Sequence, residues 1–175
     1  PEYRGVAPVN WQIINGETTG GCCVLYVESG IDTGDLIQQT FYEIGENDTA
    51  EDIVQRQLVL FPPMLLSALD QIESGFVKRQ PQNPLSGTYH TRRYPKDSQI
   101  DWKTMSEKQV HDLVRGMRGP SYPAAYCYYR GRQCNILRSK RLREDIRGCP
   151  GRIALTREEG VIVIASDRGL VITEI

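Results

Sequence analysis

No stretch of this sequence approaches the roughly 20 consecutive apolar residues that are needed to span a bilayer. This absence argues against a membrane partner. The chain does not begin with Met, and no charged-then-apolar leader precedes Pro1, so we expect its start to be a processing or sequencing boundary. With 175 residues, 39% of them hydrophobic, the chain can form one large domain or two small ones.

An excess of positive charge is also missing. The formal net charge is -1, whereas nucleic acids and anionic membranes are bound by uncompensated Lys and Arg. The five cysteines include no C-x-x-C pair that is matched by a downstream His or Cys pair. We therefore expect a cytoplasmic protein with reduced thiols, no metal and small partner molecules. The apolar run that opens at Cys22-Cys23 is best explained as a buried strand.

The first 80 residues predict a helix, two strands and a second helix. Pro8 to Asn15 has Pro in its first turn and Gly just after its end, as short helices do. The runs 21–27 and 36–44 are rich in small or β-prone residues and are joined by a turn-rich loop. Asp48-Thr49 can cap a helix over 50–74, which Pro62-Pro63 must break or kink because Pro donates no backbone hydrogen bond.

A polar stretch with several prolines follows and predicts a surface linker. After it, Ser106 opens a capping box, and Val110, Leu113, Val114 and Met117 share one helical face. Five short β-rich runs then alternate with Gly-containing turns, over 124–129, 133–137, 152–155, 161–165 and 170–175. This pattern predicts a small antiparallel barrel. The expected organisation is a domain over 1–80, a linker over 81–99 and a second domain over 100–175.

A single local motif, Gly30-Ile31-Asp32-Thr33-Gly34-Asp35, is weak evidence on its own, because Asp in such a turn usually bonds to its own backbone. It stands, however, in an ordered series with Pro1-Glu2-Tyr3-Arg4-Gly5, Pro8-Val9-Asn10-Trp11 and Tyr129-Arg130-Gly131-Arg132. The series covers most of the chain and resembles the formyltransferase family, which includes methionyl-tRNA formyltransferase, glycinamide ribonucleotide transformylase and the sugar N-formyltransferases. One departure lies at 120–126, which has one residue more and one glycine fewer than the family's Pro-aromatic-Pro-Gly-Ala-aromatic pattern.

The resemblance implies an α/β fold plus a small β-barrel: the C-terminal half of a Rossmann-like formyltransferase domain, followed by an OB-like domain. It also implies 10-formyltetrahydrofolate as the formyl donor and a catalytic Asn, His and Asp. Only the Asp is present, at Asp32, since the family's Asn and His lie just before the segment with which this chain begins. A carboxylate beside an imidazole can orient it, stabilise its charged form and help to take a proton from the substrate amine. We therefore expect the fragment alone to be inactive.

The resemblance places further residues at a substrate and cofactor cleft: Tyr3, Arg4, Gly5, Asn10, Gly34 and Asp35. Arg4 could hold an anionic part of a substrate through its planar guanidinium, or it could pair with a carboxylate within the fold. Asn10-Trp11 resembles the sugar-directed members of the family. Trp11 itself has apolar area to bury, which favours a place in the core.

Other chemistry-bearing side chains have plainer explanations. His90 and His111 are the only histidines, and we expect a surface loop for the first and a solvated helix position for the second. The basic run 138–143 suits either RNA phosphates or a charged edge strand, and we favour the edge strand. Tyr126 and Tyr128 would share a strand face, where core packing is favoured over stacking on a base.

The leading hypothesis is transfer of a formyl group from 10-formyltetrahydrofolate to the amino group of a nucleotide-linked amino sugar. A methionyl-tRNA formyltransferase is the alternative within the same chemistry, and the near-neutral charge counts against it. A non-catalytic, nucleic-acid-binding OB-like module is the alternative from another class. The expected partners are folate and a nucleotide sugar, with RNA only in the alternatives. A homodimer is a further candidate assembly. Residues 1–80 are expected to be only marginally stable unless a partner chain covers their apolar surface.

Overall fold

The computed structural model of the protein describes residues 2–83, 85–119 and 123–175. Its first part contains, in chain order, β1 (Arg4–Gly5), α1 (Pro8–Ile14), β2 (Thr19–Leu25), β3 (Leu36–Glu43) and α2 (Ala50–Glu73). Strands β2 and β3 form an antiparallel hairpin, and both helices pack beside it around the fully buried Ile13 and Ile53. The predicted order of helix, strand, strand and helix is confirmed, with boundaries shifted by one or two residues.

Helix α2 begins where the sequence predicts and continues through its two prolines. The Thr49 hydroxyl accepts the Asp52 N–H, and the Asp52 carboxylate accepts the Thr49 N–H, so the first turn is capped from both sides. The helix is not broken at Pro62-Pro63. The carbonyls that these prolines leave without a donor belong to Leu58 and Val59, which are 62% and 74% exposed, so water can satisfy them. Of the helices in the described ranges, none is both long and apolar enough to cross a membrane.

The predicted linker is partly structured. It contains β4 (Tyr89–His90), which pairs in parallel with β1, and a short 3₁₀ helix (Pro95–Ser98). The chain therefore returns from the end of α2 to the N-terminal strand before it enters the second part. The division into 1–80, 81–99 and 100–175 stays a prediction.

The second part contains α3 and six strands. Their bounds are α3 (Glu107–Gly116), β5 (Ala125–Tyr129), β6 (Arg132–Ile136), β7 (Arg138–Arg141), β8 (Ile153–Arg157), β9 (Gly160–Ile164) and β10 (Gly169–Glu174). Strands β7, β10, β9 and β8 form an antiparallel sheet in that order, and β5 and β6 form a separate hairpin. The predicted face of α3, from Val110 to Met117, is buried in the core of this β-rich part. Of the departure at 120–126, residues 120–122 lie outside the described residues.

The basic run lies on an edge strand, as predicted. Strand β7 ends the four-stranded sheet on one side. Arg138 Nε lies 2.9 Å from a Glu174 carboxylate oxygen, and Lys140 Nζ lies 3.2 Å from a Glu159 carboxylate oxygen. These pairs neutralise much of the positive charge along the strand.

Three expectations about burial or position are wrong. His90 lies half-buried in β4 with its ring stacked on Tyr3, rather than in a surface loop. Tyr128 is 58% exposed, with its ring T-shaped against Tyr126 at 5.9 Å, so it does not pack in the core. His111 is 2% exposed rather than solvated, with Nε2 at 3.1 Å from the Glu46 carbonyl oxygen and Nδ1 at 2.9 Å from Ser139 Oγ. A carbonyl oxygen can only accept, so Nε2 carries the proton and Nδ1 accepts from the hydroxyl. The polar sequence around His111 thus belongs to a buried junction between α3, β7 and the turn after β3.

The buried His111 should make stability depend on pH. Burial lowers the pKa of His111 from the ordinary 6.5, and the charges of Arg115 and Arg141 lower it further. The charge of Asp112 acts in the opposite direction but does not cancel the shift. A histidine with a lowered folded-state pKa stabilises the fold above its unfolded-state pKa and loses that contribution as pH falls. We expect the free energy of unfolding, from denaturant titrations, to fall below about pH 6.5, and less steeply in His111→Gln. His90→Gln is the matched control, and an equal pH slope in both variants contradicts the assignment.

Candidate functional site

Asp32 lies in the loop that joins β2 to β3. Its backbone has a left-handed φ of 54°, which Asp adopts more readily than most residues. The residue is exposed, and its Oδ2 accepts the backbone N–H of Gly5 at 3.0 Å. Within the described residues, Oδ1 accepts no hydrogen bond. One carboxylate oxygen is therefore fixed by β1, and the other is open to a ligand.

A cleft of about 750 Å³ opens beside this loop. Asp32 lines it, with Tyr3 and Arg4 from the β1 segment and Gln82 from the predicted linker. The other lining residues are Glu2, Pro8, Gln12, Glu17, Thr19, Gly20, Gly21, Cys22, Cys23, Leu25, Leu36, Gln39, Phe41 and Gln57. A concave surface that combines a carboxylate, amides and apolar groups suits a small molecule of mixed polarity.

Gly34 fixes the path of the Asp32 loop. The loop closes against the end of β2, where the Tyr26 N–H donates to the Asp35 carbonyl oxygen at 3.0 Å. A Cβ at position 34 would lie 1.6 Å from the Tyr26 carbonyl oxygen, so only glycine allows this approach. Gly34 therefore contributes to the site by placing the loop.

Gly34→Ala should displace the loop and with it the Asp32 carboxylate. If the cleft is the active site, a displacement of about 1 Å lowers turnover by about 100-fold. Steady-state kinetics of the full-length protein measure the effect. Gly148→Ala is the control, because this glycine is exposed and its added Cβ would meet only the Ile164 side chain, at 3.3 Å, where a shift of a few tenths of an ångström relieves the contact. Wild-type turnover in Gly34→Ala would show that the position of the loop does not matter.

Tyr3 borders the cleft as a fixed aromatic surface. Its hydroxyl donates to Glu17 Oε1 at 2.6 Å, and its ring stacks on His90 with centroids 4.7 Å apart and planes 8° apart. Burial, together with the hydrogen bond to Glu17, raises the pKa of Tyr3 to about 12. The hydroxyl therefore stays protonated at neutral pH, and Tyr3 is not a base. Gly5 acts through its backbone, as the donor to Asp32.

Arg4 is 4% exposed, and its guanidinium is already engaged. Nη2 donates to Gln82 Oε1 at 2.8 Å, while Nη1 donates to the Ser86 carbonyl oxygen at 3.2 Å and to Tyr89 Oη at 3.4 Å. Of the two roles that the sequence left open, these contacts favour the structural one, with neutral oxygens in place of the expected carboxylate. Arg4 ties β1 to the segment that follows α2.

Two further residues predicted to bind substrate or cofactor do not line the cleft. Asn10 is 4% exposed, and its Nδ2 donates to the Gly116 carbonyl oxygen at 2.6 Å, because this face of α1 packs on the end of α3. The Asp35 carboxylate lies 4.0 Å from Arg79 Nη1. Both residues connect parts of the fold, and the geometry does not support their predicted contact with a ligand.

Sequence reasoning missed several residues that line the cleft. Gln12, Gln57 and Gln82 belong to no motif, and a single glutamine gives no signal of where its side chain lies. Cys22 and Cys23 are half-buried on the cleft wall rather than fully buried, and burial raises the pKa of both thiols. Their apolar run identified β2 correctly, but a local pattern does not show which side of a strand stays open.

Two family models match the chain. The model described as "Formyl transferase" matches residues 1–69, and the one described as "Formyl transferase, C-terminal domain" matches residues 93–175. The methionyl-tRNA formyltransferase of Acetivibrio thermocellus is 33% identical over 176 residues, which cover 100% of this chain and 56% of that protein. The chain thus spans about half the length of the curated relatives it matches.

Solved structures show the same fold. The N-formyltransferase from Helicobacter canadensis, in complex with folinic acid and dTDP-3-aminofucose, has a TM-score of 0.81 at 23% identity, covering 99% of this chain and 62% of that one. HypX from Aquifex aeolicus, in complex with tetrahydrofolic acid, has a TM-score of 0.74 at 23% identity, covering 99% and 30%. These likenesses confirm the predicted fold class, an α/β part followed by a β-rich domain. The strands of the described residues form a four-stranded sheet and separate two-stranded sheets, not a closed barrel. Because the two family models leave only residues 70–92 unmatched, the chain belongs to the formyltransferase family.

Proposed function

We propose that the longer protein containing this chain transfers a formyl group from 10-formyltetrahydrofolate to a primary amine, with Asp32 at the reacting centre. The observation that carries the proposal is the Asp32 carboxylate, held beside the cleft by one oxygen while the other accepts no hydrogen bond from the described residues. An amine that attacks a formamide carbon must lose a proton, and the departing folate nitrogen must gain one. A carboxylate fixed at this place can accept or orient that proton.

Asp32 is one of three groups in the proposed chemistry. The family's pattern places an Asn and a His immediately upstream of the Tyr3-Arg4-Gly5 segment. There they would hold the formyl oxygen as it becomes anionic and carry protons between the amine and folate. Asp32 would orient the imidazole and stabilise its charged form. We accordingly expect residues 1–175 by themselves to have no useful activity.

The proposed donor is supported by the ligands of the structural neighbours. The Helicobacter canadensis protein binds folinic acid, and HypX from Aquifex aeolicus binds tetrahydrofolic acid. The cleft of about 750 Å³ has the size of a small-molecule site and joins polar amides to apolar surface, which suits a pterin ring.

The proposed acceptor is the amino group of a nucleotide-linked amino sugar. The Helicobacter canadensis neighbour binds such a compound, and the ion pairs along β7 leave little uncompensated charge for RNA there. Methionyl-tRNA is the second candidate, favoured by the 33% identity to the Acetivibrio thermocellus enzyme along the whole chain. The two acceptors share the same chemistry at Asp32.

The acceptor is decided by an assay of the full-length protein with 10-formyltetrahydrofolate. dTDP-3-aminofucose and methionyl-tRNA serve as acceptors, with uncharged tRNA and a dTDP-sugar without an amine as controls. Mass spectrometry of the products should show a gain of one formyl group on the amino sugar. Product only on methionyl-tRNA would select the second candidate, and no formylated amine from any acceptor would overturn the proposed reaction.

A further inference from the structure

We infer that Gln82 is a positioning residue for Asp32: its side-chain amide holds the loop that carries the proposed catalytic carboxylate. The inference rests on the proposed function of Asp32. Gln82 Nε2 donates to the Gly34 carbonyl oxygen at 2.6 Å and to the Asp32 carbonyl oxygen at 3.1 Å. A single NH2 group thereby joins two carbonyls on either side of Thr33.

Gln82 is fixed from its other side by Arg4. Arg4 Nη2 donates to Gln82 Oε1 at 2.8 Å, and the same guanidinium donates to the Ser86 carbonyl oxygen. These contacts also establish which way the amide faces. A guanidinium has no acceptor, so the amide oxygen must face Arg4, and the NH2 group must face the loop.

Asp32 is therefore held by two adjacent residues of β1. The backbone N–H of Gly5 fixes its carboxylate, and Arg4, acting through Gln82, fixes its backbone carbonyl. Strand β1 is itself paired with β4, which follows Gln82 in the chain. The segment after α2 thus braces the proposed active-site loop against the first strand. A shift of about 1 Å in such a group is enough to slow a reaction by about 100-fold.

Glutamine is the side chain that meets all three contacts at position 82. A glutamate has acceptors only, so it would keep Arg4 as an ion pair while losing both donations to the loop. It would also place negative charge against two carbonyl oxygens. Gln82→Glu therefore separates the two sides of the amide: the contact with Arg4 stays, and the Asp32 loop is released.

Gln82→Glu in the full-length protein tests the inference with two measurements. Hydrogen exchange of the peptide over residues 26–36, followed by mass spectrometry, should accelerate about tenfold or more, because two hydrogen bonds are lost. The kcat for formyl transfer should fall by about 10-fold to 100-fold with a much smaller change in KM. The melting temperature should stay near that of the wild type. Gln82→Met removes the same donors without new charge, together with the acceptor of Arg4, and should likewise accelerate exchange of the loop if the glutamate variant does not fold.

Gln80→Glu is the matched control. It introduces the same charge two residues earlier on an exposed side chain, and its backbone bonds to Leu36 are unaffected. Equal loop exchange in Gln82→Glu and Gln80→Glu overturns the inference, as does a fall in kcat that tracks the melting temperature without faster loop exchange. If the wild-type protein formylates no amine, the proposed function fails, while the exchange comparison still decides whether Gln82 holds the loop.

Discussion

Asp32→Asn in the full-length protein should lower the kcat of formyl transfer by about 10²–10⁴-fold, the contribution typical of a positioned proton-transfer group. The fold should be unaffected, because Asn also tolerates the left-handed φ of 54° and its Oδ1 can still accept the Gly5 N–H. The substitution therefore removes the negative charge and replaces the second carboxylate oxygen, an acceptor, by an NH2 donor, while the contact with Gly5 is kept. Steady-state kinetics and a thermal unfolding curve measure the two effects separately.

Asp70→Asn is the matched control for that variant. Asp70 lies on an exposed position of α2 and does not line the cleft, so the same loss of charge there should leave kcat unchanged. Binding of 10-formyltetrahydrofolate to Asp32→Asn, measured by calorimetry, should persist, because the missing charge acts mainly on proton transfer. A kcat within about threefold of the wild type would remove Asp32 from the proposed chemistry.

Regular secondary structure could be predicted from the sequence because its signals are local. The predicted cap at Thr49 and the predicted capping box at Ser106 involve partners only three residues away, and both form. The apolar spacing of α3 places Val110 and Met117 in the core for the same reason. The sequence left open whether Pro62-Pro63 would break α2 or kink it, and the helix is not broken. The outcome depends on solvent access to the two carbonyls left without a donor, which no local pattern reports.

The polar contacts that build the candidate site are long-range, and no local pattern reports them. Asp32 was identified through the order of motifs along the chain. Its supports come from Gly5, 27 residues away, and from Gln82, 50 residues away, while Arg4 and Gln82 are separated by 78 residues. The predicted exposure of His111 is wrong for a related reason: its burial depends on a turn 65 residues earlier in the chain. Polar residues look solvated until their partners are known.

The junction around α3 joins the two parts of the chain through charged groups. Arg115 donates to the carbonyl oxygens of Gly45 and Asp48, and Arg141 contacts the carboxylate of Glu46, all in the turn after β3. Such groups are costly to bury unless each is paired. The stability of the junction should therefore depend more on complete pairing than on the number of ion pairs.

Arg141→Ala should be strongly destabilising, because it breaks an ion pair with a buried carboxylate at this junction. Arg141 Nε lies 2.9 Å and 3.0 Å from the two carboxylate oxygens of Glu107, which is 2% exposed. Removing Arg141 leaves that carboxylate buried without its partner, which costs roughly 3 kcal/mol, the low end for broken buried pairs because Arg141 is partly exposed. Denaturant titration measures the loss. Lys140→Ala is the control, since its exposed pair with Glu159 should contribute less than about 1 kcal/mol.

The cause of that loss can be separated from lost packing by removing the buried charge as well. Burial raises the pKa of Glu107, and Arg141 opposes the rise, so Arg141→Ala should raise it further. A carboxyl group with a raised folded-state pKa stabilises the fold below its unfolded-state pKa and loses that contribution as pH rises. The destabilisation by Arg141→Ala should therefore be larger at neutral pH than near the ordinary pKa of Glu, and Glu107→Gln in the same protein should recover most of it. An equal loss in the single and double variants at every pH would instead assign the effect to the alkyl chain of Arg141, which covers apolar surface whatever the charge of its neighbour.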